Sequence, residues 1–167
     1  MSSILQYGIL SVNKLKSKNI KYSYNDPERY DGNLDAISIS ISFPNSTLFY
    51  RFRIADWQSD NRWVVLEMPV SILDELEYEC FAHNAARYDT PSCSIEEMFG
   101  NSNNKYPEDV QAEIMVKDSI PATAIKCIYV DYPYGPGVEV RKIVSSLDLS
   151  IPVVKSHKFF TVRDKEK

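Results

Sequence analysis

The sequence predicts an α+β fold with curved, mostly antiparallel sheets. In residues 36–43, Ala-Ile-Ser-Ile-Ser-Ile-Ser-Phe, apolar residues and serines alternate without a break, which is typical of a strand with one buried face. Three further apolar segments, at 63–68, 110–116 and 125–131, have the length of strands. The helices are predicted to be fewer and shorter than the strands. This balance indicates an α+β arrangement.

The length and composition indicate a single domain over residues 1–167. The chain is 44% hydrophobic and 25% charged, which is close to average globular usage, and it is long enough to bury a core without a metal or disulfide. Its three cysteines are widely spaced and form no CxxC pair, so we expect reduced thiols in a cytoplasmic protein. No signal pattern or membrane-length apolar run is present, and no membrane partner is expected.

The first part of the chain is predicted to hold short elements and a long loop. Ser2 or Ser3 is expected to cap a short helix through residues 5–7, and Gly8 is expected to end it. Residues 13–35 contain several Asn, Asp, Pro and Gly residues. They are therefore predicted to form a surface loop.

The second part is predicted to alternate further short elements with another loop. Segment 69–73 begins with proline and suits the first turn of a helix. Segment 89–109 is rich in turn-forming residues and is predicted to be a loop, whose length is typical of functional loops. A helix is expected at 137–147, and terminal strands at 153–154 and 159–162.

The charges are unevenly distributed along a chain whose net charge is −4. Residues 1–53 hold seven Lys/Arg against four Asp/Glu, residues 54–120 hold four against fourteen, and residues 121–167 hold eight against five. The two ends could therefore fold into a basic face, or the charges could simply be solvated. Nucleic-acid affinity depends on locally placed cations rather than on a basic total.

Common catalytic and metal motifs are missing from the sequence. No P-loop, Rossmann, zinc-protease or Ser-His-Asp pattern is present, and Gly135-Pro136-Gly137 is interpreted as a turn before a helix. His83 and His157 stand in no metal-ligand spacing. We therefore expect no metal.

One carboxylate lies within an otherwise apolar predicted strand. In Val110–Val116, alternation places Glu113 on one face with Gln111 and Met115. A buried carboxylate costs several kcal/mol unless it is paired or used, by order of magnitude. The pattern leaves two interpretations open: Glu113 lies at an exposed edge, or it lines a cleft and is functional.

Several segments together resemble the DarT family of DNA ADP-ribosyltransferases, which are toxins of toxin–antitoxin and phage-defence pairs. The resemblance covers most of the chain and depends on the order and spacing of the segments. They are Ser3-Ile4-Leu5-Gln6-Tyr7-Gly8-Ile9-Leu10-Ser11, Arg29, the strand from Ile37 to Asn45, Trp63-Val64-Val65-Leu66, Asn84-Ala85-Ala86, Gln111-Ala112-Glu113-Ile114-Met115-Val116 and Phe159-Phe160.

The resemblance implies an enzyme that binds NAD in a cleft between two sheets and transfers ADP-ribose to a base of single-stranded DNA. It implies that Glu113 is the catalytic residue. A fixed carboxylate would stabilise the oxocarbenium-like ribose and accept a proton from the attacking base. The implied partners are NAD, single-stranded DNA and an antitoxin that is an ADP-ribosyl hydrolase. NAD is the ADP-ribose donor, and no metal is implied.

The resemblance also assigns binding residues, each of which has a simpler structural interpretation. Arg29 matches an arginine that contacts the NAD pyrophosphate, which suits a guanidinium, but it could be a solvated loop cation. Ser38 and Asn84 are assigned to cofactor binding, although Asn84 could instead cap a helix. Tyr88 and Tyr106 could stack on DNA bases or be ordinary surface tyrosines.

Members of the family have a histidine-bearing strand before the segment that resembles residues 3–11, and the given sequence begins after that strand. We therefore expect poor activity of the chain as given. Two alternatives to the DNA-directed transferase stay open. One is a truncated, inactive remnant that binds nucleic acid or a protein partner. The other is an RNA-directed member of the same fold, such as a tRNA 2′-phosphotransferase.

Overall fold

The chain folds into short strands in small sheets, with short helices between them. The structure is a computed structural model and describes residues 1–22, 33–45, 47, 50, 63–86, 90–101, 103–131 and 136–163. Within these residues the strands are β1 (Ile9–Leu10), β2 (Ala36–Ile39), β3 (Val64–Glu67), β4 (Tyr78–Phe81), β5 (Glu113–Lys117), β6 (Ser119–Ile120), β7 (Cys127–Val130) and β8 (Val153–Lys155).

The helices of the described residues are also short. The α-helices are α1 (Ser2–Tyr7), α2 (Val12–Ser17), α3 (Ile95–Phe99) and α4 (Pro136–Ser146), and 3-10 helices span Val70–Glu75, Ala122–Ala124 and His157–Phe160. The predicted α+β class is confirmed. None of the described helices has the length and apolar character that crossing a bilayer requires.

Two three-stranded sheets and a two-stranded ribbon organise the described strands. The first sheet has the order β2-β5-β4, the second β3-β7-β8, and the ribbon joins β1 to β6. All pairs are antiparallel except β7 with β8, which is parallel. The prediction of mostly antiparallel sheets is therefore confirmed.

Strand β5 lies at the centre of the first sheet. Its register places Ile37 opposite Val116 and Cys80 opposite Ile114. These residues belong to one apolar cluster, in which Ile114 and Val116 are 1% and 0% exposed. Burial of branched side chains on this face fixes the strand, since each fully buried one stabilises the fold by about 1.5–3 kcal/mol.

A second apolar cluster joins the second sheet to helices at both ends of the chain. Ile128 and Val130 of β7 are completely buried and pack with Val140 and Val144 of α4. The spacing of four residues places the two valines on one helix face. Leu5 of α1 completes this core, so the N-terminal helix is held by tertiary packing rather than by its own length.

Several predicted elements agree with the structure. The strands at 63–68 and 125–131 contain β3 and β7, the helix at 137–147 corresponds to α4, and Val153–Lys155 is the expected late strand. The helix predicted to begin at Pro69 is a 3-10 helix from Val70. In each case the apolar residues lie against a core, which is why the sequence pattern was informative.

Other predictions were wrong because local interactions had been underestimated. The predicted loop 13–35 begins with α2, whose N-terminus is capped by Ser11 through its hydroxyl and the Lys14 amide. The predicted loop 89–109 contains α3, which has a capping box of Ser94 and Glu97. Helix α1 begins after Met1 and has no serine cap.

Two predicted strands also differ from the structure. The long strand 36–43 ends at Ile39, and Ser42 has a left-handed φ of 65° that breaks the extended conformation. Residues 159–162 are not a strand, since Phe159 and Phe160 lie in a 3-10 helix that buries Phe160. Strand β4 was not predicted. Two of its four residues are exposed, and the strand is held by its pairing with β5, which no local pattern shows.

Gly8 generates a stability prediction. Its φ of 84° and ψ of −177° form a conformation that essentially only glycine adopts. A Cβ here would also overlap the carbonyl oxygen of Ile120, which is opposite Ile9 in the ribbon. We expect Gly8→Ala to lower the free energy of unfolding by at least about 1–3 kcal/mol from backbone strain alone, as measured by denaturant unfolding.

Gly100→Ala is the matched control. Gly100 also has a positive φ, of 63°, but an added Cβ would meet the side chain of Glu108, which can rotate away. Gly100→Ala should therefore cost less than Gly8→Ala. Equal losses would show that the Ile120 carbonyl does not constrain Gly8.

Candidate active site

Glu113 is the first residue of β5 and is half-buried. Its Oε1 accepts a hydrogen bond of 2.5 Å from the backbone N–H of Ala85, and its Oε2 accepts a short hydrogen bond from the Ser38 hydroxyl. Ser38 lies on β2, and Ala85 lies in the turn after β4. The carboxylate on β5 therefore contacts both of its neighbours, β2 through Ser38 and the turn after β4 through Ala85.

The position of Glu113 bears on one of the two interpretations left open by the sequence, the exposed edge. Strand β5 has β2 on one side and β4 on the other, and Glu113 itself pairs with Phe81. The edge interpretation is therefore wrong. The next residue, Ile114, points into the core, and alternation directs the Glu113 side chain to the opposite face.

The turn after β4 is shaped by its own side chains. Asn84 Oδ1 accepts a hydrogen bond of 2.8 Å from the Ala86 N–H, and the Thr90 hydroxyl donates one of 3.3 Å to the Asn84 carbonyl. This is the local pattern by which asparagine stabilises turns. Asn84 thus orients the turn that presents the Ala85 N–H to Glu113, and residues 84–86 form no helix to cap.

A contact between His83 and Asp109 ties the same turn to the segment before β5. His83 Nδ1 lies 2.6 Å from Asp109 Oδ2, and Asp109 Oδ1 accepts a hydrogen bond of 2.8 Å from the Gln111 N–H. Asp109 therefore links the turn of Ala85 to the backbone just before Glu113. Sequence reasoning missed this link, because the partners are 26 residues apart and neither stands in a recognisable motif.

The nearby cysteine thiols are poorly suited to nucleophilic chemistry. Cys80 of β4 is buried, and its burial raises the pKa of the thiol to about 11. Burial also raises the pKa of Cys93, which faces Cys80 across an isolated antiparallel bridge. A thiol with a raised pKa is protonated at neutral pH and is a weak nucleophile. All three cysteines are free, as the sequence predicted.

The structure brings some of the predicted site residues together and not others. Ser38 and the Asn84 turn adjoin Glu113, whereas Tyr106 packs its ring edge against Phe43, with ring centroids 5.8 Å apart. Arg29 and Tyr88 lie outside the described residues. Across the part of the chain that is described, no group of three or more His, Cys, Asp and Glu side chains could hold a metal ion.

Two surface depressions lie among the described residues. One is lined by residues 78–80 and 92–96, and the other by residues around the 3-10 helix Val70–Glu75 and by 121–126. Glu113 lines neither of them. Residues 87–89, which follow the Ala85 turn, lie outside the described part, so a cleft at Glu113 stays a prediction.

The arrangement gives a carboxylate of fixed orientation on a rigid strand. Two donors hold its two oxygens, and an ionised carboxylate has about four lone-pair sites, so acceptor capacity remains on each oxygen. Such a group can stabilise a positive charge that develops beside it, or accept a proton from a bound molecule. Both uses require a fixed position rather than a mobile side chain.

Comparison with known proteins gives one family match and several structural matches. The family described as "ssDNA thymidine ADP-ribosyltransferase, DarT" matches residues 1–160. No curated protein is similar to the chain.

Structures similar to the chain include Thermosipho africanus DarTG in complex with ADP-ribose, with a TM-score of 0.73 and 16% identity over 99% of this chain and 50% of that one. Thermus sp. 2.9 DarT in complex with NAD+ has a TM-score of 0.65 and 14% identity over 95% and 91% of the two chains. The same Thermus protein in complex with ADP-ribosylated ssDNA has a TM-score of 0.68 and 17% identity over 95% and 90%. The chain thus spans about half the length of the Thermosipho protein, and at these identities the structural likeness shows the fold.

The His83–Asp109 pair generates a prediction about local order at the site. Replacing His83 with alanine removes the link that holds the turn. We expect His83→Ala to speed hydrogen exchange of the Ala85 amide by roughly fivefold, because a hydrogen bond contributes about 1 kcal/mol. Amide exchange monitored by NMR measures this directly.

Two variants provide the comparison. His83→Asn places an amide nitrogen near the position of Nδ1 and should retain most of the protection. His157→Ala removes the equivalent His157–Asp131 pair, 2.7 Å long, and should leave Ala85 unchanged. If His83→Ala leaves the exchange rate unchanged, the His83–Asp109 contact does not order this turn.

Proposed function

The chain belongs to the DarT family of single-stranded-DNA thymidine ADP-ribosyltransferases, and from this premise we propose that Glu113 is the catalytic carboxylate of NAD-dependent transfer to thymidine. The observation that carries the proposal is the orientation of Glu113 by Ser38 and the Ala85 N–H. In the proposed reaction the bond between the ribose and nicotinamide breaks, and a bond from the ribose to the base nitrogen forms.

Glu113 has two roles in this reaction. Its negative charge stabilises the positive charge that develops on the ribose as nicotinamide leaves. It also accepts the proton of the attacking nitrogen, which in thymidine is the only ring N–H. One carboxylate can do both, because charge stabilisation precedes the proton transfer and each oxygen retains a free acceptor site.

Ser38 and the Ala85 N–H position the carboxylate by donating one hydrogen bond to each of its oxygens. The Ser38 hydroxyl can also turn toward a bound ribose, since Ser38 is exposed apart from this contact. We therefore assign Ser38 and the Asn84 turn to the NAD side of the site, in agreement with the family resemblance.

Arg29, Tyr88 and Tyr106 complete the proposed substrate contacts. Arg29 would bind the pyrophosphate of NAD by paired hydrogen bonds, and Tyr88 follows the Ala85 turn by three residues, where an aromatic ring could stack on the target base. Tyr106 belongs to the loop before β5. In this proposal NAD and the DNA base contact different segments of the chain.

The biological role is proposed on the same basis. The match to a DarTG protein supports a toxin whose partner is an antitoxin with ADP-ribosyl hydrolase activity. We place this toxin in the cytoplasm, where its NAD and DNA substrates are available.

Glu113→Gln is expected to reduce transfer by about 10²–10³-fold or more, because the amide keeps the shape but loses the charge. The fold should persist, since the amide oxygen can still accept from the Ala85 N–H and the amide nitrogen can donate to Ser38. The transfer is measured with labelled NAD and thymidine-containing single-stranded oligonucleotides, in a form of the protein that is first shown to label DNA.

Glu77→Gln is the control. Glu77 is an exposed carboxylate paired with Lys117 at the other end of β5, and its loss should leave transfer unchanged. Undiminished labelling by Glu113→Gln would reject the catalytic role. Labelling of RNA but not DNA would instead support the RNA-directed alternative, and labelling of neither by the unaltered chain would support the inactive remnant.

Arg29→Ala is expected to weaken NAD binding about tenfold or more while changing single-stranded-DNA binding little, because the variant cannot form charge-assisted hydrogen bonds to the pyrophosphate. Calorimetry with NAD and fluorescence anisotropy with an oligonucleotide separate the two effects. Lys21→Ala, which removes an exposed cation from the same part of the chain, serves as the control. A selective loss of DNA affinity would place Arg29 on the DNA surface instead.

A further inference from the structure

We propose that a cluster of rings and cations beyond the proposed active site binds the sugar–phosphate backbone of the single-stranded DNA that carries the target base. This cation–ring surface consists of Phe43, Tyr106, Phe159, Lys105, Lys158 and Arg163. The inference rests on the proposed function for its substrate, and it assigns that substrate a second region of contact.

Three aromatic rings form the base of the surface. Phe43 is 7% exposed and contacts Tyr106 edge-to-face, with ring planes 82° apart, and its ring centroid lies 5.6 Å from that of Phe159. Phe159 in turn packs against Tyr129 of β7, with centroids 4.6 Å apart. The rings therefore join segments from three parts of the chain into one rigid platform.

Three cations surround the ring of Tyr106. The Arg163 guanidinium lies 5.2 Å from the ring centroid, Lys105 Nζ 5.4 Å and Lys158 Nζ 6.0 Å. Lys158 also donates a hydrogen bond of 3.3 Å to the Tyr106 hydroxyl, and Arg163 donates one of 3.0 Å to the carbonyl of Pro107. All three positive groups therefore lie within 6.0 Å of the centre of one ring.

Such a group of like charges requires a source of stabilisation. The rings provide part of it through cation–π attraction. Lys105 and Lys158 are exposed, and no carboxylate of the described residues forms an ion pair with either one. An anion with several oxygens would satisfy these two donors, and the successive phosphates of a nucleic acid supply several such anions along one strand.

The location of the surface agrees with a DNA strand that also reaches Glu113. Because β2 and β5 are antiparallel and Ile39 lies opposite Ile114, β2 leads toward Phe43 at the end of the pair where β5 begins with Glu113. The loop that carries Tyr106 enters β5 from this same end. A strand bound across the rings can therefore continue toward the carboxylate.

The contacts of Tyr106 within the cation–ring surface indicate its role in DNA binding. Its ring already contacts Phe43 and is surrounded by cations, so it is better placed to support phosphate-binding groups than to stack on a base. Arg163 lies beyond residues 1–160 that match the family.

The test is the salt dependence of DNA binding, measured by fluorescence anisotropy with a labelled oligothymidine and without NAD. For single strands, the slope of log K against log salt changes by about 0.7 for each phosphate that the protein no longer neutralises. We expect the double variant Lys158→Gln/Arg163→Gln to reduce the slope by about 1.4 and to weaken binding about tenfold or more at moderate salt. Circular dichroism verifies that the variant is folded.

Two comparisons make the result specific. Lys117→Gln and Lys142→Gln remove exposed lysines elsewhere, on β5 and α4, and as a double variant should retain the slope of the unaltered chain. Arg163→Lys keeps the charge, loses the paired geometry and should also retain most of the slope. An unchanged slope in Lys158→Gln/Arg163→Gln, or an equal reduction in the lysine controls, overturns the proposal.

The experiment separates this inference from the proposed function. Binding is measured without transfer, so an inactive chain can still show the expected change in slope. Conversely, if Glu113→Gln abolishes transfer while the slope of Lys158→Gln/Arg163→Gln is unchanged, the catalytic role stands and the cation–ring surface fails.

Discussion

The hydrogen bonds that hold Glu113 impose the strictest constraint on this fold. A half-buried carboxylate loses part of its hydration, and the two donors from Ser38 and Ala85 compensate for that loss. The donors belong to β2 and to the turn after β4, so both neighbours of β5 must have the correct register. A slip of one residue in β2 would turn Ser38 to the opposite face and place an isoleucine beside the carboxylate.

The core on the other face of β5 maintains this register. Ile114 and Val116 are almost fully buried opposite residues of β2 and β4, and shifting either strand would expose apolar surface. The packing energy of the core thus determines the geometry of the polar group on the opposite face. Because one face of β5 is packed into the core, a small sheet of three strands can hold the Glu113 carboxylate on the other face in a fixed position.

The sequence predicted those features of the site that depend on a local pattern within one short segment of the chain. Alternation around Glu113 and along residues 36–43 identified the two strands that meet at the carboxylate, and the family resemblance selected Glu113 among the acidic residues. The capping box at Ser94 and Glu97 was also a local signal, although its helix was taken for loop. By contrast, the pairing of His83 with Asp109 depends on the tertiary fold, and no local pattern encodes it.

The loop before β5 connects the proposed active site to the proposed DNA-binding surface. Arg163 holds it at the carbonyl of Pro107, and the Glu108 N–H donates to the carbonyl of Met98 at 3.0 Å. One residue later Asp109 binds His83, on the turn that orients Glu113. Tyr106 of the cation–ring surface and Glu113 are thus separated by only a few residues of the chain, and the contacts of Pro107, Glu108 and Asp109 constrain the segment between them. Under the two proposals, a short, fixed loop of this kind would set the distance between bound phosphates and the reacting base, and fixing that distance is a direct way to lower the entropic cost of reaching the transition state.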